Sequence, residues 1–140
     1  MAYGINISSV ISKLNKDANK LLQQVDDEIL KGLQEVVVKA KAEAPNDFRG
    51  ESIGSTISVE RNGQFDYTLE ANNPYAAYYE FGTGPSAQEY LPKIEQEWVL
   101  IASDYIKNRK GTIKEAAYLY PSYNSVMPRV FEKIQKDLNA

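Results

Sequence analysis

The sequence predicts an α+β fold: a long N-terminal helix, a small antiparallel sheet of three or four strands, and two further helices. Three observations predict it. Apolar residues fall at helical spacing in the first third, alternate with polar residues in the middle, and return to helical spacing towards the end. With 140 residues the chain is expected to form a single domain, in which 1–45 is the long helix, 53–83 the sheet and 86–140 helical segments packing on the sheet.

The first third carries apolar residues in steps of three or four. This spacing predicts a helix from about Ser9 to Ala44, which ends before Pro45 because a proline pushes the preceding residue out of helical geometry. At 1.5 Å per residue the helix would be roughly 50 Å long. It therefore either breaks near Asn15 to Asp17, or protrudes and needs a partner to cover its apolar stripe.

Between residues 53 and 83 the pattern predicts a sheet. Polar and apolar residues alternate in Ile53–Val59 and again in Phe65–Ala71, as expected of half-buried strands. Asn62-Gly63 lies between them and predicts the hairpin turn, because both residues tolerate positive φ. We interpret Tyr75–Phe81 as a third strand, ended by the glycine-rich Gly82–Gly84.

Two helices are predicted after the sheet. The first runs from about Pro92 to Asn108, since a proline suits the first helical turn and the apolar residues that follow keep helical spacing. The last runs from about Ser125 to Leu138, with Pro128 tolerated in its first turn. Between the two helices, Pro121 interrupts a short aromatic segment.

The composition excludes several kinds of chemistry. The chain has no cysteine and no histidine, which removes thiolate catalysis, the commonest general base and the commonest metal ligand. Accordingly, no catalytic residue, cofactor or metal ligand is predicted. A carboxylate-dependent enzyme using Glu80 remains an alternative, but a structural carboxylate paired with a basic residue or backbone donors is favoured. Asp26, Asp27 and Glu28 point in different directions on a helix and are interpreted as a solvated face.

Four basic residues gather near the end of the predicted second helix in a chain of net charge −3. Two readings stay open: contact with passing DNA or an acidic partner, and cations complementing a helix dipole. These residues are Lys107, Arg109, Lys110 and Lys114. The start of the chain lacks a signal-peptide pattern, and no stretch approaches the roughly 18 apolar residues that span a bilayer, so we expect assembly in a cytoplasm and no membrane contact.

Several segments together resemble one family. Ala44-Pro45, then Asp47 and Gly50, then Tyr75–Thr83 (Tyr-Ala-Ala-Tyr-Tyr-Glu-Phe-Gly-Thr) resemble the gp-ten-like minor tail component family of tailed bacteriophages. The stretch from residue 111 through 121 to 128 is similar to the family's closing segment, so the resemblance spans about residues 36–138. The Glu-Phe-Gly-Thr element is its most specific part. The residues around Phe48 depart from the family's aspartate-threonine-glycine turn.

The resemblance implies a structural virion protein of the neck, not an enzyme. It would be a homo-oligomeric ring, a hexamer or dodecamer, that completes the tail and joins it to the head, with DNA passing through. Its neighbours would be head-closure or connector proteins and tail-tube or terminator proteins; the alternative is a terminator ring that stops tail-tube growth. The resemblance also implies fold-defining residues near a subunit interface: Pro45, Gly50, Tyr75, Ala76, Tyr78, Glu80, Phe81, Gly82, Thr83 and Pro121.

Overall fold

The α+β class predicted from the sequence is confirmed. A computed structural model describes residues 1–8, 19–106 and 110–139 of the chain. Its strands are β1 (Ala2–Asn6), β2 (Ile57–Gly63) and β3 (Asp66–Ala71). Its α-helices are α1 (Asn19–Glu43), α2 (Ala76–Phe81), α3 (Pro85–Tyr90), α4 (Gln96–Tyr105) and α5 (Leu119–Leu138), with short 3₁₀ turns at Gly54–Thr56 and Leu91–Lys93. None of these helices is long and apolar enough to cross a bilayer.

The three strands form one antiparallel sheet in the order β1-β3-β2. The prediction missed β1, because residues 1–45 were assigned to the long helix. β1 pairs with β3 over five residues, and this partner lies sixty or more residues further along the chain. A strand of five residues owes its conformation to such pairing, which local sequence patterns do not reveal.

The long helix α1 packs on one face of the sheet. Its buried residues recur every three or four positions (Val25, Ile29, Leu33, Val36 and Ala40), and they meet the buried side chains of β3 in one core. α1 also packs tightly against α5, because a Cβ on Gly32 would lie 2.9 Å from a methyl carbon of Val130. The helix ends at Glu43, two residues before Pro45 as predicted. The predicted start at Ser9 and the break near Asn15 to Asp17 fall outside the described residues.

The hairpin turn lies two residues later than predicted. Asn62 and Gly63 belong to β2, where the register shifts, and the turn is formed by Gln64 and Phe65. Phe65 takes the positive φ of +60°. Its side chain is 4% exposed, and its N–H donates to the Asp26 carboxylate at 3.0 Å. Burial and this bond outweigh the local preference for Asn-Gly in the turn.

The predicted third strand, Tyr75–Phe81, is wrong: Ala76–Phe81 is the helix α2. Its buried residues are Ala76, Ala77, Glu80 and Phe81, which are spaced as on one face of a helix. Asn73 starts the turn, since its side-chain oxygen accepts the Tyr75 N–H at 2.8 Å. Gly82–Gly84 therefore follows a helix, not a strand.

The later helices are also shifted. The predicted helix from Pro92 to Asn108 is shorter, as α4 begins at Gln96 and the residues before it form α3 and a 3₁₀ turn. α5 begins at Leu119, six residues before the predicted Ser125, so Pro121 lies in its first turn and Pro128 inside it. A proline is tolerated in a first turn, where its missing N–H has no helical partner.

Candidate functional site

Glu80 joins two distant parts of the chain. Its side chain is fully buried. One carboxylate oxygen accepts the N–H groups of Tyr118 and Leu119 at 2.9 and 2.8 Å, and the other accepts that of Tyr120 at 2.7 Å. These donors are the first backbone groups of α5, which have no partner inside the helix. Glu80 thus caps α5 from α2, and the backbone donors expected of a structural carboxylate are present.

The charge state of Glu80 reflects two opposing effects. Burial raises the pKa of Glu80, and the three backbone N–H groups that donate to it act in the opposite direction. A carboxylate at a helix N-terminus also interacts favourably with the helix dipole. Three backbone donors bond to its two oxygens, which suits holding the chain together more than exchanging protons.

The residues after α2 continue this junction. The Thr83 N–H donates to the Ile113 carbonyl at 2.8 Å, and the Ile113 N–H donates to the Thr83 hydroxyl at 2.9 Å. The Ser86 hydroxyl accepts the Glu115 N–H at 3.0 Å and bonds the Glu115 carboxylate. We call this set the clasp: Glu80 to Ser86 on one side, and residues 111 to 120 on the other.

Glycines let the two sides of the clasp touch. A Cβ on Gly84 would lie 2.3 Å from the Gly111 carbonyl oxygen, and a Cβ on Gly111 would lie 2.4 Å from the Thr83 hydroxyl. Gly82, Gly84 and Gly111 also have φ values of +79°, +57° and +121°, a region that favours glycine. The glycine-rich element after Phe81 is therefore required for backbone contact.

The remaining aromatic and alanine residues of the motif support the same junction. Ala76 is fully buried, and its carbonyl accepts the Tyr118 hydroxyl at 2.8 Å. Phe81 is fully buried in the core. Tyr75 and Tyr78 are partly buried, with ring centroids 6.2 Å apart. The motif thus divides into a buried half that packs and a half-exposed tyrosine pair.

A second hydrogen-bonded element follows the end of α1. It lies where the sequence differs from the aspartate-threonine-glycine turn of the family that the chain resembles. The buried Asp47 carboxylate accepts the Arg49 guanidinium (2.8 Å), the Arg49 and Glu51 N–H groups (2.8 and 3.1 Å) and the Asn73 amide (3.1 Å). Bonding to Arg49 and the other donors holds the pKa of Asp47 well below its usual range, despite the opposing effect of burial. Gly50 closes the turn at φ +81°, and its N–H donates to the Asp47 carbonyl.

This loop holds an apolar side chain out in solvent. Phe48 is 68% exposed, and its ring packs edge-on against Tyr75 with centroids 4.7 Å apart. The Arg49 guanidinium lies 4.9 Å from the Tyr75 ring centroid, which adds a cation–π contact. The hydrogen bonds of the loop therefore hold an exposed phenylalanine in a defined position.

A shallow groove lies between the end of α1 and the start of α5. Its volume is about 370 Å³, and Ala42, Pro121 and Ser125 are among the residues that line it. Pro121 is exposed here, in the first turn of α5. Pro45 is half-buried, in the segment that leads from α1 to the loop Asp47–Glu51, which we call the Phe48 loop.

The structure corrects one interpretation of the acidic residues on α1. Asp26 is not solvated: it is 1% exposed and accepts Phe65 N–H, the Tyr67 hydroxyl and the Arg61 guanidinium. Burial alone would raise its pKa, but these bonds outweigh burial and the pKa of Asp26 is lowered. Asp27 is exposed as predicted, and the half-buried Glu28 accepts Lys133 Nζ at 3.1 Å.

Of the predicted basic cluster, Lys107 and Arg109 lie outside the described residues. Lys110 and Lys114 are exposed, and Lys114 borders a cavity of about 350 Å³ with Thr83 and Ser86. Across the described residues, no group of three or more acidic side chains is arranged to hold a metal ion.

Comparison with models of known protein families gives a match. The model of the family described as "Bacteriophage HK97-gp10, putative tail-component" matches residues 8–82. No curated protein and no solved structure matches. The match covers more than half of the chain and ends at Gly82, so the likeness of residues 111–128 to the family's closing segment stays a prediction.

Proposed function

This chain belongs to the bacteriophage HK97-gp10 family of tail components, and on that premise we propose that it is a subunit of the ring that completes the tail and joins it to the head. Membership makes the protein a phage tail component and places it in the virion. The neck position and the ring are our proposal. The family match is the observation that carries it, and the chemistry of the buried carboxylates supports it.

Three carboxylates that are buried among the described residues serve the fold. Glu80 caps α5, Asp47 holds the Phe48 loop, and Asp26 ties α1 to the hairpin, each through hydrogen bonds to several donors. A general acid or base needs a reachable proton and a nearby substrate pocket. Carboxylates bonded in this way favour a structural role over the carboxylate-dependent enzyme.

We propose that the Phe48 loop forms one side of the contact between neighbouring ring subunits. A closed ring uses two different patches on each subunit, one meeting the other. The projecting Phe48, backed by Tyr75 and Arg49, has the residue types that dominate interface energies. The groove lined by Ala42 and Pro121 is apolar and open, and we propose it as the receiving patch.

A complementation experiment tests this proposal. A phage lacking its own copy of the gene is supplied with wild type, with Phe48→Ser, or with Leu100→Ser. Leu100 is the matched control, because it is 59% exposed on α4 and distant in sequence from the loop. We expect the wild type and Leu100→Ser to yield virions with joined heads and tails.

With Phe48→Ser we expect free heads and free tails of normal length, seen by electron microscopy. The native mass of the neck assembled from wild-type protein should correspond to six or twelve copies of this chain. Tails of abnormal length would indicate the terminator function instead. Normal virions from Phe48→Ser would show that the loop is not the ring contact, and normal virions without the gene would refute the proposed function.

A further inference from the structure

We propose that strand β1 is an interaction edge, and that two copies of the free protein pair through it, β1 against β1, about a two-fold axis. The inference concerns the protein before assembly. It does not depend on the proposed ring function.

The hydrogen bonds show which groups of β1 point away from the sheet. The Ala71 N–H donates to the Met1 carbonyl at 2.9 Å, and the Ile7 N–H donates to the Phe65 carbonyl at 3.0 Å. In an antiparallel ladder, residues bonded to one neighbour alternate with residues that point to the other side. Met1 and Ile7 bond towards β3, and by this alternation so do Tyr3 and Ile5. The even-numbered residues of β1 therefore direct their N–H and C=O groups away from β3, towards the open edge of the sheet. No strand in the described part of the chain pairs with that side.

The two edges of the sheet differ in how they are protected. Natural edge strands avoid pairing by carrying charges, prolines or irregularities. β2 carries two charged residues, Glu60 and Arg61, and its register shifts between Arg61 and Gly63. β1 (Ala-Tyr-Gly-Ile-Asn) has none of these features and keeps a regular register over all five pairs. β1 is therefore the edge that is open to another strand.

The outward-facing residues suit a second β1 strand. Ala2, Gly4 and Asn6 are exposed and short, and a Cβ added at Gly4 would meet nothing within 4 Å. A two-fold axis through Gly4 sets Gly4 opposite Gly4 and Ala2 opposite Asn6 of the second copy. Each such pair exchanges two main-chain hydrogen bonds. The edge is thus its own complement, which favours a second copy over a foreign strand.

This pairing joins the two sheets into one, with β1 strands at the centre. A two-fold contact closes on itself and cannot propagate around a ring. Such a pair contains two copies only, and it covers β1 in the free protein.

Lysine substitutions test the pairing. Gly4→Lys sets two lysines opposite each other at the axis, while open space around Gly4 leaves a single copy undisturbed. Ser58→Lys is the matched control, since Ser58 is exposed on the other edge strand. Native mass over a range of concentrations should give twice 15.7 kDa for wild type and Ser58→Lys. Gly4→Lys should weaken the dimer at least about tenfold, equivalent to about 1.4 kcal/mol.

Amide hydrogen exchange gives a second, residue-level result. In the dimer the Gly4 amide should exchange slowly, and should exchange faster on dilution or in Gly4→Lys. The Tyr3 and Ile5 amides face β3 and should stay protected throughout. If the Tyr3 and Ile5 amides lose protection in Gly4→Lys, the lysine has disturbed the pairing of β1 with β3. Ala2→Lys then replaces Gly4→Lys in the same mass and exchange measurements. Wild type at 15.7 kDa at every concentration, or a dimer unaffected by either lysine, would overturn the proposal.

Discussion

Replacing Glu80 by glutamine should weaken the clasp without changing its shape. Glutamine has the same length as glutamate, so it fills the same buried space. However, only one of its terminal atoms accepts hydrogen bonds, and the other becomes an NH₂ donor. Whichever way the amide turns, at least one N–H among Tyr118, Leu119 and Tyr120 then faces another donor.

The magnitude follows from the three bonds. A hydrogen bond to a charged group contributes about 1.5–3 kcal/mol and a neutral one about 1, so three charged bonds become at most two neutral ones. The nominal loss is roughly 2.5–7 kcal/mol. Part of it is offset, because glutamine avoids burying a charge, the effect that raises the pKa of Glu80. We therefore expect Glu80→Gln to lower the free energy of unfolding by about 2–3 kcal/mol, and Glu80→Ala, which leaves all three donors unpaired, by about 4 or more.

Urea denaturation followed by circular dichroism measures this loss. Glu35→Gln is the control, since the Glu35 side chain is 53% exposed in a surface ion pair and should change stability by less than about 0.5 kcal/mol. Hydrogen exchange should also quicken at the amides of Tyr118, Leu119 and Tyr120 in Glu80→Gln. If Glu80→Gln is as stable as the wild type, with these amides equally protected, the capping role is wrong.

Three further predictions concern the other buried contacts. The lowered pKa of Asp47 means that the unfolded chain, with the ordinary value of 3.8, binds protons first as the pH falls. The stability that Asp47 contributes is thus present above about pH 4 and lost below it, and Asp47→Asn should flatten the acid part of a stability–pH curve. Gly84→Ala should lower the free energy of unfolding by more than about 2 kcal/mol, because its Cβ would lie 2.3 Å from the Gly111 carbonyl oxygen and the φ of +57° disfavours alanine. Gly63→Ala has open space and should change the free energy of unfolding by less than about 1 kcal/mol in the same urea titrations. Tyr67→Phe removes the hydroxyl that donates to the buried Asp26 and should lower the free energy of unfolding by about 1–2 kcal/mol in the same titration. An unchanged free energy of unfolding would show that this bond does not stabilise the fold.

The parts of the fold with strong local periodicity were predictable from the sequence. Phe65, Tyr67, Leu69 and Ala71 alternate with polar residues, and all four are buried on the core face. The apolar residues of α1 at steps of three or four are buried in the same way. In both segments one face meets the core over several turns or pairs, so the pattern is long enough to identify the element.

Short segments were mispredicted because alternation over six or seven residues does not separate helix from strand. Tyr75–Phe81 is compatible with both periods: Tyr75, Ala77, Tyr79 and Phe81 would share one face of a strand, yet positions 76, 77, 80 and 81 form a helical face. The adjacent alanines and the preceding Asn73 were the signals for helix. The burial of Asp26 gave no local signal, since its partners Phe65 and Tyr67 lie about forty residues away.

The Glu-Phe-Gly-Thr element of the resemblance gains a physical meaning from these contacts. Two of its residues bond to distant parts of the chain: Glu80 caps a helix that starts 39 residues later, and Thr83 bonds to Ile113, 30 residues away. Gly82 follows Phe81 with a φ that other residues rarely adopt. Such a motif fixes the path of the chain after the sheet, and so brings the start of α5 beside the end of α1. The groove that we propose as the receiving patch, lined by Ala42 and Pro121, lies beside the first turn of the helix that this junction caps. A weakened clasp should therefore impair head–tail joining at temperatures where the protein is still folded, and Glu80→Gln in the complementation experiment would show free heads and tails at a lower temperature than Glu35→Gln.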